Sequence, residues 1–237
     1  MPILEPMPAV VIQQQTLLAF GAQWIKNHER LSRTRPFSSI QLGLEVNHAV
    51  AQALATMLGG IKVTPPKNRK SLLPPQSNCV EEGNIRIVGG VRPQNFDVGY
   101  RPDGVRFAFD SKTLNDRKSV GKNYQNMIND LATEAATVHT RFPYAVVAFL
   151  VVIPSPCLVE PQRSALIGRL GALNRRESIG DPAHLAESIA LVVWNPHDGT
   201  VDNTTPSASS GVRIELFSER IQAAYYQRYQ GLPPHLD

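Results

Sequence analysis

Asp97, Asp110 and Lys112 are the three side chains whose types and spacing could carry chemistry in this chain. Asp103-Gly104 stands midway between the aspartates, flanked by runs in which apolar and polar residues alternate. Asp-Gly in that setting predicts a hairpin, because a two-residue type I′ turn needs positive φ at both central residues. The expected register then pairs Pro102 with Val105, Tyr100 with Phe107, Val98 with Phe109 and Asp97 with Asp110. Residues directly opposite share a face, with Cβ atoms roughly 4.5–5.5 Å apart. Alternation places Phe96, Val98, Tyr100, Val105, Phe107 and Phe109 on one face, and Asp97, Gly99, Arg101, Arg106, Ala108, Asp110 and Lys112 on the other. Two facing carboxylates repel unless a cation lies between them, and hard oxygen ligands at this spacing suit Mg²⁺ with part of its water retained. Lys112 would aim its ammonium at the same spot, to stabilise charge developing on a phosphorane or to help deprotonate an attacking water. The chemistry so described is metal-dependent hydrolysis of a phosphodiester.

The elements that must hold these groups follow from periodicity. A helix is expected over 10–31, with Val11, Leu17, Leu18, Phe20, Ala22 and Ile25 as its apolar positions, and a second over 39–59. On the second, Gln41, Glu45, His48 and Gln52 share one face, while Leu42, Val46, Val50 and Leu54 share the opposite one. Residues 61–82, with Pro65-Pro66, Pro74-Pro75 and several basic residues, predict an irregular loop that either contacts a ligand or merely connects. A strand over 84–88 precedes the hairpin. A helix over 120–140 follows it, with Tyr124, Met127, Ile128, Leu131 and Ala135 apolar. The run 144–153 reads as a buried central strand, 161–176 as a helix, 188–194 as a strand, 195–212 as turns and 215–230 as a last helix. Antiparallel strands followed by alternating helices and strands predict an α/β fold, a mixed β-sheet with helices on both faces.

Composition sets outer limits. The chain has 237 residues, 42% hydrophobic and 19% charged, which suits one well-buried domain spanning 1–237. No apolar run is long enough to span a bilayer, and the proline-bearing start lacks the pattern of a secretion signal. Cys79 and Cys157 are the only cysteines and have no paired spacing, so neither a disulfide framework nor a zinc site is expected, and a cytoplasmic setting is. The six histidines are scattered, and neither a Gly-x-Ser-x-Gly nucleophile elbow nor a Gly-x-x-x-x-Gly-Lys-Ser/Thr phosphate loop occurs. Net charge is +4, and the basic residues cluster around Arg33 and Arg35, around Lys67, Arg69 and Lys70, and around Lys118 and Lys122. Such clusters suit a phosphate backbone.

Asp97, the triplet Asp110-Ser111-Lys112 and the order of elements from about 39 to 153 together resemble the PD-(D/E)XK nuclease superfamily, the restriction-endonuclease-like fold. The resemblance implies that Asp97 and Asp110 bind Mg²⁺ and that Lys112 assists attack of water on DNA. It further implies that Glu45, on the helix before the meander, and Gln125, on the helix after it, join the catalytic set. One departure is plain: the literal Pro-Asp pair is Pro102-Asp103, whereas Asp97 follows Phe96. Asp103 falls at the hairpin tip, too far from Asp110 to share an ion, and is read as a turn residue.

The resemblance implies an endodeoxyribonuclease for double-stranded DNA, most like a type II restriction endonuclease. Cutting both strands would need two sites and hence a homodimer, for which the last helix with its tyrosines offers a candidate surface. Two other functions remain open: a repair or recombination nuclease of the same fold that recognises DNA structure, and a DNA-binding protein without catalysis.

Overall fold

The computed structural model describes residues 3–28, 39–117 and 120–235. Arg33, Arg35 and Lys118 lie outside them. The chain forms α1 (Gln14–His28), α2 (Ser39–Met57), β1 (Lys62–Thr64), β2 (Cys79–Val88), β3 (Pro93–Tyr100), β4 (Phe107–Thr113), α3 (Val120–Arg141), β5 (Val146–Pro154), α4 (Gln162–Leu173), β6 (Ser188–Trp194) and α5 (Phe217–Tyr229). The strands make one mixed sheet in the order β1-β2-β3-β4-β5-β6. β2, β3 and β4 run antiparallel as a meander, whereas β1 joins β2, and β5 and β6 extend β4, in parallel.

Two apolar clusters follow from the alternation. In β5, Val146, Ala148, Leu150 and Val152 pack with Leu42, Val46, Val50 and Leu54 of α2 and with Phe217, Ile221 and Tyr225 of α5. The interleaved Val147, Phe149, Val151 and Ile153 pack with Met127, Leu131 and Val138 of α3 and with Leu166 and Leu170 of α4. A parallel strand covered on both faces has no polar position to offer, and that is why 144–153 reads as a continuous apolar run. No described helix is long and apolar enough to cross a membrane.

Three expectations are corrected. The segment 61–82 is not irregular throughout: it contributes β1 and the first residues of β2, which pair in parallel from Lys62 with Cys79 to Thr64 with Glu81. The hairpin is not closed by two residues: its strands stop at Tyr100 and resume at Phe107, so Pro102 and Val105 are not a ladder pair. Its register is nevertheless the expected one, Val98 with Phe109 and Tyr100 with Phe107, because loop 101–106 has the same midpoint as the shorter turn. Asp103 accepts from Arg106 Nε at 2.8 Å and ties the loop to itself. Finally, the apolar face of the hairpin is split. Val98, Tyr100, Phe107 and Phe109 lie on the α2 side, but Phe96 packs with Ile85 and Ile87 on the α3 side. The change of side faces a bulge in β2 between Glu82 and Ile85, where Gly83 adopts φ +133°.

The β2–β3 turn sets the position of α3. Gly90 N donates to Thr137 O at 2.8 Å, and a Cβ built on Gly89 would lie 2.0 Å from the same oxygen. Gly89→Ala must therefore push the turn off α3, at an expected cost of about 1–3 kcal/mol in denaturant unfolding.

Candidate active site

Asp97 and Asp110 stand on β3 and β4 immediately beyond the last ladder pair, Val98 with Phe109, so they are not the ladder pair expected, but their carboxyl groups are close enough to interact. Asp97 is half-buried and stands opposite the bulge in β2. Its Oδ2 accepts from both the backbone N and the Oγ of Ser111, each at 3.0 Å. Two hydrogen bonds to one oxygen fix the carboxylate's orientation. Ser111 in turn lies under α2, where Gly43 lets the helix approach: a Cβ there would lie 3.4 Å from Ser111 Oγ.

Asp110 is buried at 8% exposure and hydrogen-bonds through Oδ2 to Lys112 Nζ. Lys112 Nζ also donates to Glu134 Oε1 at 2.9 Å, and Gln94 Nε2 donates to that same oxygen at 2.9 Å. The side chains of β3, β4 and α3 thus converge as Asp97, Asp110, Lys112, Glu134 and Gln94. Burial pushes the Asp110 carboxyl well above the ordinary aspartate range, with Lys112 opposing and the adjacent Asp97 carboxyl reinforcing the rise. Burial likewise raises Glu134 against the pull of Lys112. For Lys112, burial favours loss of the proton, but the Asp110 and Glu134 carboxylates outweigh it and hold the ammonium above its usual range. The lysine is thus held between two carboxyl groups.

Among the described residues no three His, Cys, Asp or Glu side chains are grouped to hold a metal ion. An ion at Asp97 and Asp110 would have two carboxylates from the protein and would complete its shell with water and substrate oxygens. That donor set fits Mg²⁺, which loses water reluctantly, and does not fit a closed zinc site. Glu134 Oε2 is buried without a hydrogen-bond partner, so the pocket also holds acceptor capacity that its own side chains leave unused.

Two expected members stand apart. Glu45 is exposed on α2 and forms no hydrogen bond or ion pair with the described residues; on its face it is His48 that meets the sheet, 3.0 Å from Glu82 Oε2. Gln125 is exposed on α3 and lies about two and a half turns from Glu134, on the opposite side of the helix. It is Glu134 that reaches Lys112 from α3. Its signal was a lone carboxylate on the apolar stripe of Met127, Leu131 and Val138.

Of the basic groups, Lys67, Arg69 and Lys70 are exposed on the loop joining β1 to β2. That loop passes the bulge opposite Asp97, since a Cβ built on Gly83 would lie 3.1 Å from Pro66 Cδ. Lys122 belongs to α3, but its side chain is outside the described set. Tyr225 and Tyr229 of α5 are buried and pack against each other with ring centroids 4.8 Å apart and planes tilted by 42°, so these two rings are spent on the core and not available as a partner surface. Comparison of the chain with protein-family models, with curated proteins and with solved structures finds no match.

Proposed function

We propose that the protein is a Mg²⁺-dependent endodeoxyribonuclease acting on double-stranded DNA, with a restriction-endonuclease-like fold and a type II restriction-endonuclease-like mode of action. The observation that carries this reading is the convergence of Asp97, Asp110 and Lys112 on two paired strands, with Asp110 buried against a second carboxyl. Such a pair opposes folding in the absence of a cation, and a use in catalysis accounts for its presence.

Bound Mg²⁺ would supply a Lewis acid for the phosphodiester and a nucleophilic water at neutral pH. The chain's own groups divide the remaining work. Asp97, oriented by Ser111, and Asp110 present the carboxylates. Lys112, held by Glu134 and through it by Gln94, offers a positive charge to the non-bridging oxygens of the reacting phosphate. Lys67, Arg69 and Lys70, on the loop that passes the bulge, extend positive charge along the phosphate backbone. A homodimer would supply the second site needed for the opposite strand.

The test compares wild type and Asp97→Ala on supercoiled plasmid with Mg²⁺ and with EDTA, alongside calorimetric titration of both proteins with Ca²⁺, another hard cation. Cleavage that needs Mg²⁺ and falls at least about 10²-fold in the variant, with loss of Ca²⁺ binding, is expected. Equal behaviour of the two proteins overturns the assignment. Discrete fragments on linear DNA support sequence-specific cutting, whereas a smear points to a nuclease that reads DNA structure.

A further inference from the structure

We propose that the loop joining β1 to β2 is a wedge that inserts Leu73, with Leu72 beside it, between base pairs of duplex DNA while its basic residues hold the flanking phosphates. The inference rests on the reading of the protein as one that binds double-stranded DNA, and it names the contact by which this loop deforms the duplex. Residues 65–78 contain Lys67, Arg69 and Lys70 and no acidic residue. Just beyond these cations come Leu72 and Leu73, 54% and 74% exposed.

A single exposed leucine needs no account, but two in succession on a loop that is tied down do. Ser71 N donates to Asn68 O at 3.1 Å and Lys70 N to Asn68 Oδ1 at 2.9 Å, which turns the chain just before the leucines. Ser71 Oγ donates to Leu73 O at 2.7 Å. Arg101 Nη1 donates to Leu72 O at 3.0 Å and to Arg86 O at 3.1 Å. Arg101 is itself buried, with Nε and Nη2 each 2.7 Å from an oxygen of the Glu81 carboxylate. The backbone of the leucines is thus anchored, through a buried ion pair, to β2 and the end of β3, while their side chains stand in solvent. Ordering a loop costs conformational entropy, and here the ordering leaves apolar side chains displayed instead of covered.

The charge around the leucines decides what covers them. Lys67, Arg69 and Lys70 are exposed and form no ion pair with a described residue. Arg86 and Arg141, which line the same recess as Leu72 and Leu73, form none either. An apolar protein surface would leave these cations unanswered, and a plainly acidic one would leave the leucines unused. Duplex DNA offers both features at once, phosphates on either side of stacked apolar base faces, and a leucine between base steps with basic groups beside it is a way in which proteins kink a duplex. Lys70 is three residues from Leu73, at most about 11 Å of chain, so a groove wall and the base stack can be engaged together. Leu72 is tied to Arg101, four residues from Asp97 and about 13 Å along extended chain, so one duplex reaches both the wedge and the candidate active site.

The test binds the full chain to plasmid DNA in EDTA, which prevents cleavage, and relaxes the plasmid with a type IB topoisomerase, which needs no metal. Wild type is expected to leave the plasmid underwound in proportion to the protein bound, because a wedge unstacks and untwists the step it enters. Leu72→Ser combined with Leu73→Ser should cut the topoisomer shift per bound protein at least about threefold and leave the salt dependence of binding as in wild type. Lys67→Ala, Arg69→Ala and Lys70→Ala together should weaken binding about tenfold or more and lower the slope of log affinity against log salt by about 3. All these positions are exposed, so an unchanged Tm verifies that the variants are folded. Binding without a topoisomer shift, or a shift that the leucine variant retains, overturns the wedge and leaves the nuclease assignment untouched. Absence of DNA binding overturns both. A shift by a protein that fails to cut DNA once Mg²⁺ is restored supports the wedge and overturns the nuclease assignment alone. A leucine variant that unwinds DNA as wild type does but has lost self-association in sedimentation velocity assigns the leucines to a contact between copies, which likewise overturns the wedge.

Discussion

Asp110→Asn is expected to abolish Mg²⁺-dependent DNA cleavage, by about 10³-fold or more, and at the same time to make the protein more stable without divalent cation. The second effect follows from the sign of the shift at Asp110. Burial, with Asp97 adding to it, raises the carboxyl in the fold above the ordinary value of 3.8, so the fold binds this proton more tightly than the unfolded chain does. Stability from this group is complete below 3.8 and is lost as the pH rises through the raised value. At neutral pH wild type pays that penalty, and asparagine, which mimics the neutral carboxyl, does not. Lys112 keeps Glu134 as its counterion in the variant. The Tm of the variant in EDTA at neutral pH should therefore lie above that of wild type. Two controls separate this from an incidental stabilisation. The gap between variant and wild type should close as the pH approaches 4. Added Mg²⁺ should close it from the other side, by stabilising wild type alone. An Asp110→Asn protein that is less stable than wild type, or that still cleaves, contradicts the reading of Asp110 as a strained metal ligand.

What could be read in advance was whatever depended on neighbouring residues. Ser188–Trp194 is a strand because seven successive residues between turn signals are buried on both faces, and its bounds are those expected. The pairing of Val98 with Phe109 and of Tyr100 with Phe107 was legible because register depends on the midpoint of the connection, and Asp103-Gly104 marks that midpoint whether the loop is short or long; the ladder stops before Asp97 and Asp110. Features set by contacts distant in sequence were not legible. The move of Phe96 to the α3 side accompanies a bulge in the next strand, at Gly83. β1 has only three residues and is defined by its parallel pairing with β2, which no local pattern encodes. Glu134 reaches Lys112 because Gly89 and Gly90 hold α3 at Thr137, one turn further along the helix. A carboxylate among Met127, Leu131 and Val138 had to have a buried cationic partner, but which cation depended on that docking.

Glu187→Ala is expected to be the most destabilising single change in the protein and to act without touching the candidate active site. The Glu187 side chain is fully buried at the start of β6, where its carboxylate gathers three basic side chains. Arg228 Nη1 lies 2.8 Å from Oε1, Arg176 Nε 3.1 Å from the same oxygen, and His139 Nε2 3.2 Å from Oε2. Val147 N also donates to Oε2, at 2.7 Å, and this ties the cluster to the central strand. Arg176 anchors the connection after α4 through the carbonyls of Asp181, Pro182, Ile179 and Pro143, so α3, β5, α5, this connection and the start of β6 meet at this one acid. Removing it leaves buried arginines without a counter-charge, and breaking a buried ion pair on one side costs about 3–5 kcal/mol. Burial opposes the charged form of Glu187, but His139, Arg228 and the Val147 amide outweigh it and hold the carboxyl below its ordinary value of 4.5. A carboxyl lowered in the fold contributes stability that is complete above the unfolded value and is lost as the pH falls through the folded one. Wild type should therefore lose stability on acidification below about 4.5, and Glu187→Gln, which keeps a partner for the Val147 amide but has no charge to titrate, should show a flatter acid limb. Urea unfolding from pH 3 to 7 measures both effects. Equal stabilities for Glu187→Ala and wild type at pH 7 would mean that water or relaxation compensates the arginines, and that the segments meeting here are held by their apolar contacts alone.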